Sequence, residues 1–223
     1  MKKYIIAIDG YVWTWKGTTA KWVAKALGYV YLDTGAMYRA VTLYAQNNNL
    51  LDADEATKVA MMDNIVLSYL YNKNTDHYDM VLNWENVERE IRKTSLALEL
   101  HKIVWVWWIR KILVKRQQAY GKNGWIVVDW RDIWTVVFPD ADLKVFLTCD
   151  LDTRLERRCK QLQEQWLSVD RTSIRKEISL RDSTDYLSIN AVNKKADDAV
   201  EVDTTHTTID QQITLILDMV KKL

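Results

Sequence analysis

The sequence predicts an α/β domain built on a mostly parallel β-sheet. Short apolar runs alternate with helical patterns at both ends of the chain, and this alternation indicates βαβ units. Several of the apolar runs are bounded by aspartate, which is typical of buried parallel strands followed by polar loops. A chain of 223 residues fits one such domain, residues 1–223, with room for insertions.

The first quarter of the chain contains two predicted strand–helix pairs. A β-rich run from Tyr4 to Ile8 precedes a helical pattern from about Thr18 to Leu27. A second run from Tyr29 to Leu32 precedes a helical pattern from Gly35 to Asn47. Each strand therefore leads through a short loop into a helix, which is the connection expected in a parallel sheet.

The last hundred residues are predicted to complete the sheet. Short apolar runs occur at Trp125–Val128, Leu143–Leu147 and Val200–Val202. Thr208 and Gln211 then form the sequence signature of a capping box, and apolar residues at helical spacing follow to the carboxyl terminus. These patterns predict three more strands and a terminal helix.

The middle of the chain is predicted to form an insert in this core, at about residues 65–93. Ile65–Asn83 alternates like two antiparallel strands around a polar turn at 72–76, and helical patterns cover Asn86–Lys93 and Ser95–Gln118. A second polar stretch, from Asp152 to about Asp185, is helical and rich in arginine.

Composition and charge exclude several classes of function. Lys and Arg number 31 against 30 Asp and Glu, so no overall field would attract a nucleic acid polymer or an anionic membrane. The longest apolar run, Ile103–Ile109, is far shorter than the ~20 residues that span a bilayer. The amino terminus is too briefly apolar for a signal peptide, and two cysteines suit a reducing compartment. We therefore expect a cytoplasmic protein.

The content of glycine, proline and tryptophan is unusual. A globular chain of this length has about 16 glycines and 11 prolines, whereas this chain has 6 glycines, 1 proline and 11 tryptophans. Glycine lets the backbone approach a ligand closely, so tryptophan in loops bears directly on function. The predicted helix that follows Ile103 carries Trp105, Trp107 and Trp108, which are too many to fit one apolar stripe, so some must be exposed. We expect a monomer, and exposed tryptophans would favour its self-association.

The strongest local signal for chemistry lies between the first strand and the first helix. A phosphate-binding loop of the pattern G-x-x-x-x-G-K-[ST] uses glycines to wrap the phosphates, a lysine to reach them and a hydroxyl to hold Mg²⁺. Gly10 and Lys16 have the required separation, but Trp15 replaces the second glycine and Gly17 replaces the hydroxyl. Taken alone, this pattern favours an ordinary surface lysine.

Further motifs change that interpretation, because together they resemble the bacterial cytidylate kinase family over essentially the whole chain. The matching stretches are IAIDG, TTAKWVAKALGY, DTGAMYRAVTLYA, TVVFPDADLKVFLTCD, RLERR and KKADDAVEVDTT. The resemblance implies a P-loop nucleoside monophosphate kinase: a five-stranded, mostly parallel sheet with helices on both faces, a nucleotide-binding insert and a helical lid at about 152–185. It also implies transfer of the γ-phosphoryl group of ATP to CMP or dCMP with Mg²⁺.

The same resemblance implies roles for individual residues. Lys16 corresponds to the lysine that stabilises the transferring phosphoryl group, and Asp129 to the carboxylate near Mg²⁺, with Asp132 as its polar neighbour. The loop residues that would contact ATP are Gly10, Thr14, Lys16, Gly17 and Thr18, and the lid arginines that would cover ATP are Arg157 and Arg158. The CMP-binding residues would be Arg39, Arg110, Arg131, Arg181 and Asp185; Arg131 and Arg181, with Lys16 and Asp132, would act in catalysis.

The departures from the family pattern cluster in these same loops. Tyr11, Val12, Trp13 and Trp15 stand where the family has small residues, and two family glycines are Trp130 and Trp134, which we expect to crowd the facing loop. A family serine–proline motif with one more arginine is replaced at residues 188–193. Such clustering indicates a redesigned or degraded sequence that keeps the family fold.

Two functions of different class therefore stay open at this point. The first is an ATP- and Mg²⁺-dependent (d)CMP kinase with reduced activity. The second is a folded scaffold that binds nucleotide weakly or not at all and does not catalyse. A different P-loop kinase is disfavoured by the stretches DTGAMYRA and KKADDAV.

Overall fold

The computed structural model of the protein describes residues 3–129, 133–187 and 195–223, and for residues 184–187 it describes the backbone only. The chain divides into two compact units, the first formed by Met1–Val30 with Gly124–Leu223 and the second by Tyr31–Asn123. The strands are β1 (Ile5–Gly10), β2 (Val30–Asp33), β3 (Leu67–Asn72), β4 (His77–Leu82), β5 (Glu85–Asn86), β6 (Ile126–Asp129), β7 (Leu143–Thr148) and β8 (Val200–Asp203). The helices are α1 (Lys16–Leu27), α2 (Thr34–Asn47), α3 (Glu55–Ala60), α4 (Thr94–Glu99), α5 (His101–Val104), α6 (Trp107–Gly121), α7 (Leu151–Glu164), α8 (Arg171–Leu187) and α9 (Ile209–Val220).

The predicted α/β fold is confirmed by a five-stranded sheet of order β2-β6-β1-β7-β8, with helices on both of its faces. β1 pairs in parallel with β6, where Ile5 lies opposite Ile126, and with β7, where Ile6 lies opposite Leu143. β8 extends the sheet in parallel beside β7. The central strands are apolar because helices cover them: Ile6 and Ile8 have no exposed surface.

Helix α9 begins where the sequence predicts. The Thr208 hydroxyl accepts from the Gln211 amide, and the Gln211 side chain accepts from the Thr208 amide, so the predicted capping box is formed. Its buried Gln212 accepts a hydrogen bond from the Thr19 hydroxyl of α1 at 2.9 Å. This contact joins the first and last helices of the chain within the first unit.

The second unit confirms the antiparallel strands predicted for residues 65–83, because β3 and β4 pair antiparallel around residues 73–76. The helix predicted for Asn86–Lys93 is wrong: the segment holds the end of β5 and a short 3-10 turn at Glu90–Arg92. The helical stretch predicted for Ser95–Gln118 is divided into α4, α5 and α6.

The break between α5 and α6 has a packing reason. Ile103 and Ile109 are both completely buried. In one continuous helix, residues six apart point about 120° away from each other, so both could not enter the same core. Val106 adopts an extended backbone conformation between the two helices, and this turn brings both isoleucines inside.

None of the helices in the described parts of the chain combines the length and the apolar character that a membrane-spanning segment requires.

Tryptophans occupy left-handed backbone positions that favour glycine. Among the described residues, Trp13, Trp15, Trp84, Trp125 and Trp166 have φ values between 58° and 71°. A left-handed conformation costs a residue with a side chain roughly 1–2 kcal/mol, because its Cβ approaches the following carbonyl oxygen. Trp84 and Trp166 lie at turns with their side chains 83% and 96% exposed, so little packing offsets this cost.

We expect Trp84→Gly and Trp166→Gly each to raise the melting temperature by about 2–4 °C. Relief of the strain outweighs the extra entropy of glycine in the unfolded chain, for a net gain of about 1 kcal/mol. Scanning calorimetry measures the effect. Trp22→Gly is the control, because Trp22 is also partly exposed but lies inside helix α1, where glycine lowers stability. Equal effects of all three substitutions would contradict the role of the left-handed backbone.

Candidate functional site

The loop between β1 and α1, residues 10–15, is called the phosphate loop below. It turns away from the sheet at Gly10, where φ is 152°. A Cβ atom on this residue would lie 2.2 Å from the carbonyl oxygen of Leu147 on β7. The Tyr11 amide donates to that same oxygen at 3.2 Å. Only glycine therefore allows β1 and β7 to approach each other this closely at the start of the loop.

Lys16, the first residue of α1, closes the phosphate loop. Its Nζ donates to the carbonyl oxygens of Gly10 at 3.0 Å and Tyr11 at 3.3 Å, so the ammonium group lies across the loop. The buried Thr14 hydroxyl donates to the Tyr11 carbonyl oxygen at 2.9 Å. The first amide groups of a helix have no acceptor within it, and the helix dipole is positive at this end. A lysine and a helix amino terminus together suit a phosphate group.

Two residues of the phosphate loop have the left-handed backbone that favours glycine, although their side chains are large. Trp13 and Trp15 have φ values of 66° and 65°. A left-handed residue beside a right-handed one can direct successive amides to one side, where they bind an anion. At Trp15, which replaces the second glycine of the motif, an indole is attached to such a left-handed backbone.

The arginines of helix α7 lie directly over the aromatic rings of this loop. The guanidinium carbon of Arg157 lies 3.8 Å from the ring centre of Trp15, and that of Arg158 lies 4.4 Å from Trp13. Arg154 lies 4.8 Å from the ring of Tyr11. Residues three and four apart share one face of a helix, so these arginines form a single row against the loop.

Arg157 is held by hydrogen bonds as well as by stacking. Its Nη2 donates to the Thr204 carbonyl oxygen at 2.6 Å, and its Nη1 donates to the Trp13 carbonyl oxygen at 3.3 Å. Burial lowers the pKa of Arg157, and the neighbouring Cys149 and Asp150 oppose that change. Burial also lowers the pKa of Arg158. Arginine nevertheless stays charged at neutral pH, so the row carries positive charge to the loop.

Helices α7 and α8, which cover the predicted lid, pack on each other and on the loop. The buried residues Leu155, Cys159, Ile174 and Ile178 form a cluster, and Val12 and Trp13 of the loop pack against it. Arg154 donates to both carboxylate oxygens of Asp182, at 2.9 and 2.7 Å, and so ties α7 to α8. The structure thereby brings the lid helices onto the phosphate loop.

Arg181, a predicted CMP-binding and catalytic residue, lies on α8 in this same unit. Its Nη1 is 3.9 Å from the Glu177 carboxylate, one helical turn earlier. Burial is the main cause that lowers the pKa of Arg158. The positive charge of Arg181 also lowers this pKa, and the carboxylate of Glu177 raises it. Arg181 is therefore near enough to the row of lid arginines to interact with it electrostatically.

Two buried carboxylates lie where neighbouring strands end. Asp129 closes β6 and is opposite Ile8 of β1, and Asp9 follows Ile8. The Asp9 Oδ1 accepts from the Gly10 amide at 2.7 Å. Sequence reasoning identified Asp129 and missed Asp9, although an aspartate at the end of a buried strand, beside the loop glycine, was a signal for it.

These groups fit a Mg²⁺–nucleotide only in part. Mg²⁺ prefers oxygen ligands and is often held by one or two carboxylates together with substrate phosphates, a role that Asp129 suits. Within the described residues, no cluster of three or more His, Cys, Asp or Glu side chains could hold a metal by itself. The hydroxyl expected after the lysine is missing at Gly17, and the Thr18 side chain is exposed.

Arg39 and Arg110 belong to the second unit, on α2 and α6. Helix α2 begins after Asp33, whose carboxylate accepts from the Ala36 amide at 2.9 Å. Burial raises the pKa of Tyr38, and the positive charge of Arg110 opposes that rise, so these two side chains are close. Arg39, the next residue, is half-buried.

Sequence reasoning missed Arg92, which holds Asp33 in place. Its Nη2 lies 2.6 Å from the Asp33 Oδ2, and its Nε donates to Glu88 at 2.8 Å. Burial alone lowers the pKa of Arg92, but the two carboxylates outweigh it and the pKa is raised. The predicted helix at 86–93 concealed this residue, because an arginine on a solvated helix carries no signal for an ion pair far along the chain.

Two further predicted site residues, and the side chain of a third, fall outside the part of the chain that the structure describes. Arg131 and Asp132 lie outside the described residues, as does the side chain of Asp185. Convergence of the predicted CMP-binding residues on one pocket therefore stays a prediction.

The expectation that Trp134 crowds a facing loop is wrong. Its side chain is 2% exposed, within a π-helical turn at Ile133–Val137. It packs against Phe146 with ring centres 5.6 Å apart, and Phe146 packs at the same distance against Tyr11. A large aromatic side chain gains most by burial, and Trp134 is a core residue beneath the phosphate loop. Trp130 lies outside the described residues.

The predicted exposure of aromatic residues near the start of α6 is confirmed. Trp105, Trp107 and Trp108 are each about half exposed, at 52%, 55% and 50%. Lys111 lies 5.0 Å from the ring centres of both Trp107 and Trp108.

Comparisons with known proteins agree with these features. The sequence profile described as "Cytidylate kinase" matches residues 6–222. The chain is 41% identical to a cytidylate kinase of Flavobacterium johnsoniae over 223 residues, covering 99% of this chain and 97% of that protein. It is 38% identical to a cytidylate kinase of Flavobacterium psychrophilum, covering all of both chains.

Among solved structures, an uncharacterized protein from Eubacterium ventriosum matches over 100% of both chains with a TM-score of 0.54 and 12% identity, which supports the fold alone. The matches in sequence extend over nearly all of the chain at about 40% identity. The profile match covers β1 from Ile6, the phosphate loop and α1. The chain therefore belongs to the cytidylate kinase family.

Proposed function

We propose that the protein transfers the γ-phosphoryl group of ATP to CMP or dCMP, and that it does so slowly. The observation that carries this proposal is the phosphate loop, in which the Lys16 ammonium lies across a loop of glycine-like conformation at the amino terminus of α1. Relatives of the chain are named cytidylate kinases, and this supports CMP as the acceptor.

Phosphoryl transfer depends mostly on positioning and on neutralising charge. Lys16, with Gly10 and Thr14 of the phosphate loop and Gly17 and Thr18 of α1, would bind the phosphates of ATP. Arg157 and Arg158 would cover them. Asp129 would hold Mg²⁺, which when bound neutralises charge on the phosphate oxygens. Arg131, Asp132 and Arg181 would act on the transferring group.

The acceptor nucleotide would be bound by arginines, because a monophosphate is recognised best by the planar, two-pronged guanidinium group. The proposed CMP-binding residues are Arg39, Arg110, Arg131, Arg181 and Asp185. The ordered start of α2 supports this for Arg39, since Asp33 caps the helix and is itself held by Arg92.

The low rate follows from the side chains of the phosphate loop. The indole of Trp15 is attached beside Lys16, and it lies on the guanidinium of Arg157. Gly17 supplies no hydroxyl to a metal ion. We further infer a redesigned sequence, because tryptophans recur at left-handed positions that favour glycine.

ATP and CMP as substrates support a cytoplasmic location, and we take the protein to be a monomer whose half-exposed Trp105, Trp107 and Trp108 permit self-association. We take residues 1–223 as a single kinase domain with the insert at about 65–93 and the lid at about 152–185.

The test is an ATP- and Mg²⁺-dependent assay of CDP formation, with CMP and dCMP as acceptors. We expect turnover well below the ~1–100 s⁻¹ usual for kinases, and loss of that turnover in Lys16→Met, which keeps the length of the side chain and removes its charge. If the unmodified chain forms no more CDP than Lys16→Met, the protein is the non-catalytic scaffold instead. Turnover in the usual range would contradict the proposed impairment.

A further inference from the structure

The contacts between helix α7 and the phosphate loop form a continuous set within the first unit. Arg154, Arg157 and Arg158 each lie over a different ring of the loop, at 4.8, 3.8 and 4.4 Å from the ring centre. A cation within about 6 Å of an aromatic ring is attracted to its face, and the attraction grows when both are shielded from water. Arg157 and Arg158 are partly buried, as are Trp13 and Trp15, so these contacts are partly shielded from water.

In this arrangement the guanidinium of Arg157 is already bound. One face is covered by the indole of Trp15, and its two terminal nitrogens donate to Thr204 and to the Trp13 carbonyl oxygen. An arginine held in this way must leave its partners before it can donate to a phosphate group. The indole is also a planar bicyclic ring, and stacking on arginine is a contact that a nucleobase makes with a protein.

An apolar contact adds to the charged ones. Val12 and Trp13 pack against the buried cluster of Leu155, Cys159 and Ile178 between the lid helices. Opening the lid helices away from the loop would expose this surface to water, which costs free energy. The loop is therefore joined to α7 by both stacking and apolar packing.

We infer that the aromatic side chains of the phosphate loop and the arginines of α7 form an intramolecular latch, which closes the lid helices on the loop in place of a nucleotide. This inference rests on the proposed function, since it names what nucleotide has to displace. Nucleotide binds only after the latch opens. With the open state populated at about 1–10%, the apparent affinity is lowered about 10- to 100-fold.

The first experiment compares two variants that place glycine at left-handed tryptophans. Trp13→Gly/Trp15→Gly removes rings that face arginines, whereas Trp84→Gly relieves the same kind of backbone strain at an exposed ring of the second unit. Hydrogen exchange of the α7 amides is measured without ligand. We expect exchange at residues 151–164 to quicken at least 10-fold in the first variant and not to quicken in the second.

The second experiment separates the latch from simple steric blocking by the indole. Arg157→Gln/Arg158→Gln keeps both tryptophans and removes the charges that stack on them. We expect the same faster exchange in α7, because the latch is lost from the other side. Unchanged exchange in either the tryptophan or the arginine variant would overturn the inference.

Binding of inorganic triphosphate, measured by calorimetry, completes the test without any phosphoryl transfer. We expect Trp13→Gly/Trp15→Gly to bind it about 10- to 100-fold more tightly than the native chain, and Trp84→Gly to bind it with native affinity. If no variant forms CDP while α7 exchange still responds as expected, the proposed function fails and the latch stands. If the native chain forms CDP while α7 exchange responds to neither substitution, the latch fails and the function stands.

Discussion

Replacing Trp15 by glycine and Gly17 by serine together is expected to raise the rate of CMP phosphorylation by about 10²-fold or more. Loss of one positioned electrostatic contact in an active site typically costs about 10²–10³ in rate. This chain lacks the hydroxyl at Gly17 and carries an indole at Trp15, on the two sides of Lys16. The backbone at Trp15 already has the left-handed conformation that glycine adopts, so the substitution requires no rearrangement of the loop.

The two single substitutions show how the effect is shared. Gly17→Ser alone should change the rate little, because the indole of Trp15 stays beside Lys16 and against Arg157, whereas Trp15→Gly alone should give a partial gain. Trp166→Gly is the control for strain relief at a left-handed tryptophan and should leave kcat and KM unchanged. Initial rates of CDP formation at saturating ATP decide the outcome. A double variant no faster than the native chain would show that the defect lies elsewhere.

Replacing Trp134 by glycine is expected to lower the stability of the protein by about 3–5 kcal/mol, although the family has glycine at this position. Removal of a large buried aromatic side chain leaves a cavity and loses its packing energy. Trp134 is 2% exposed and packs on Phe146. The melting temperature should fall by roughly 10 °C, and kinase activity should not improve.

Trp134→Phe is the matched variant, because it keeps an aromatic ring in the same site and should cost clearly less than glycine. Thermal unfolding followed by circular dichroism measures both substitutions. A melting temperature that is unchanged or higher in Trp134→Gly would mean that the surrounding core closes over the space, contrary to its observed packing.

Much of the sheet could be predicted because each strand has a local signal. The apolar runs that became β1, β6 and β7 are buried on both faces and end at polar loops, and their predicted bounds differ from the observed ones by at most two residues. The helix predicted at residues 86–93 is wrong, because helical spacing over so short a segment does not distinguish an α-helix from a 3-10 turn. Sequence reasoning also failed to find the break at Val106, which depends on burying both Ile103 and Ile109 in one core.

For the site, the separation of Gly10 and Lys16 between a strand and a helix indicated where a phosphate loop could lie, but alone it favoured a surface lysine. The motifs spread along the chain, which show membership of a kinase family, turned that indication into a prediction. Sequence motifs therefore determined the fold class and the family, and they predicted the loop.

The tertiary structure alone decided how the aromatic residues of that loop are used. Trp13, Trp15 and Trp134 are large side chains where the family has small residues, and the sequence does not say whether each is buried, exposed or stacked. That depends on the groups that the folded chain brings to them: Arg157 and Arg158, more than a hundred residues away, contact Trp15 and Trp13, and Phe146 on β7 packs against Trp134. Stacking and burial are set by distances between segments remote in sequence, so no local pattern of residues can encode them.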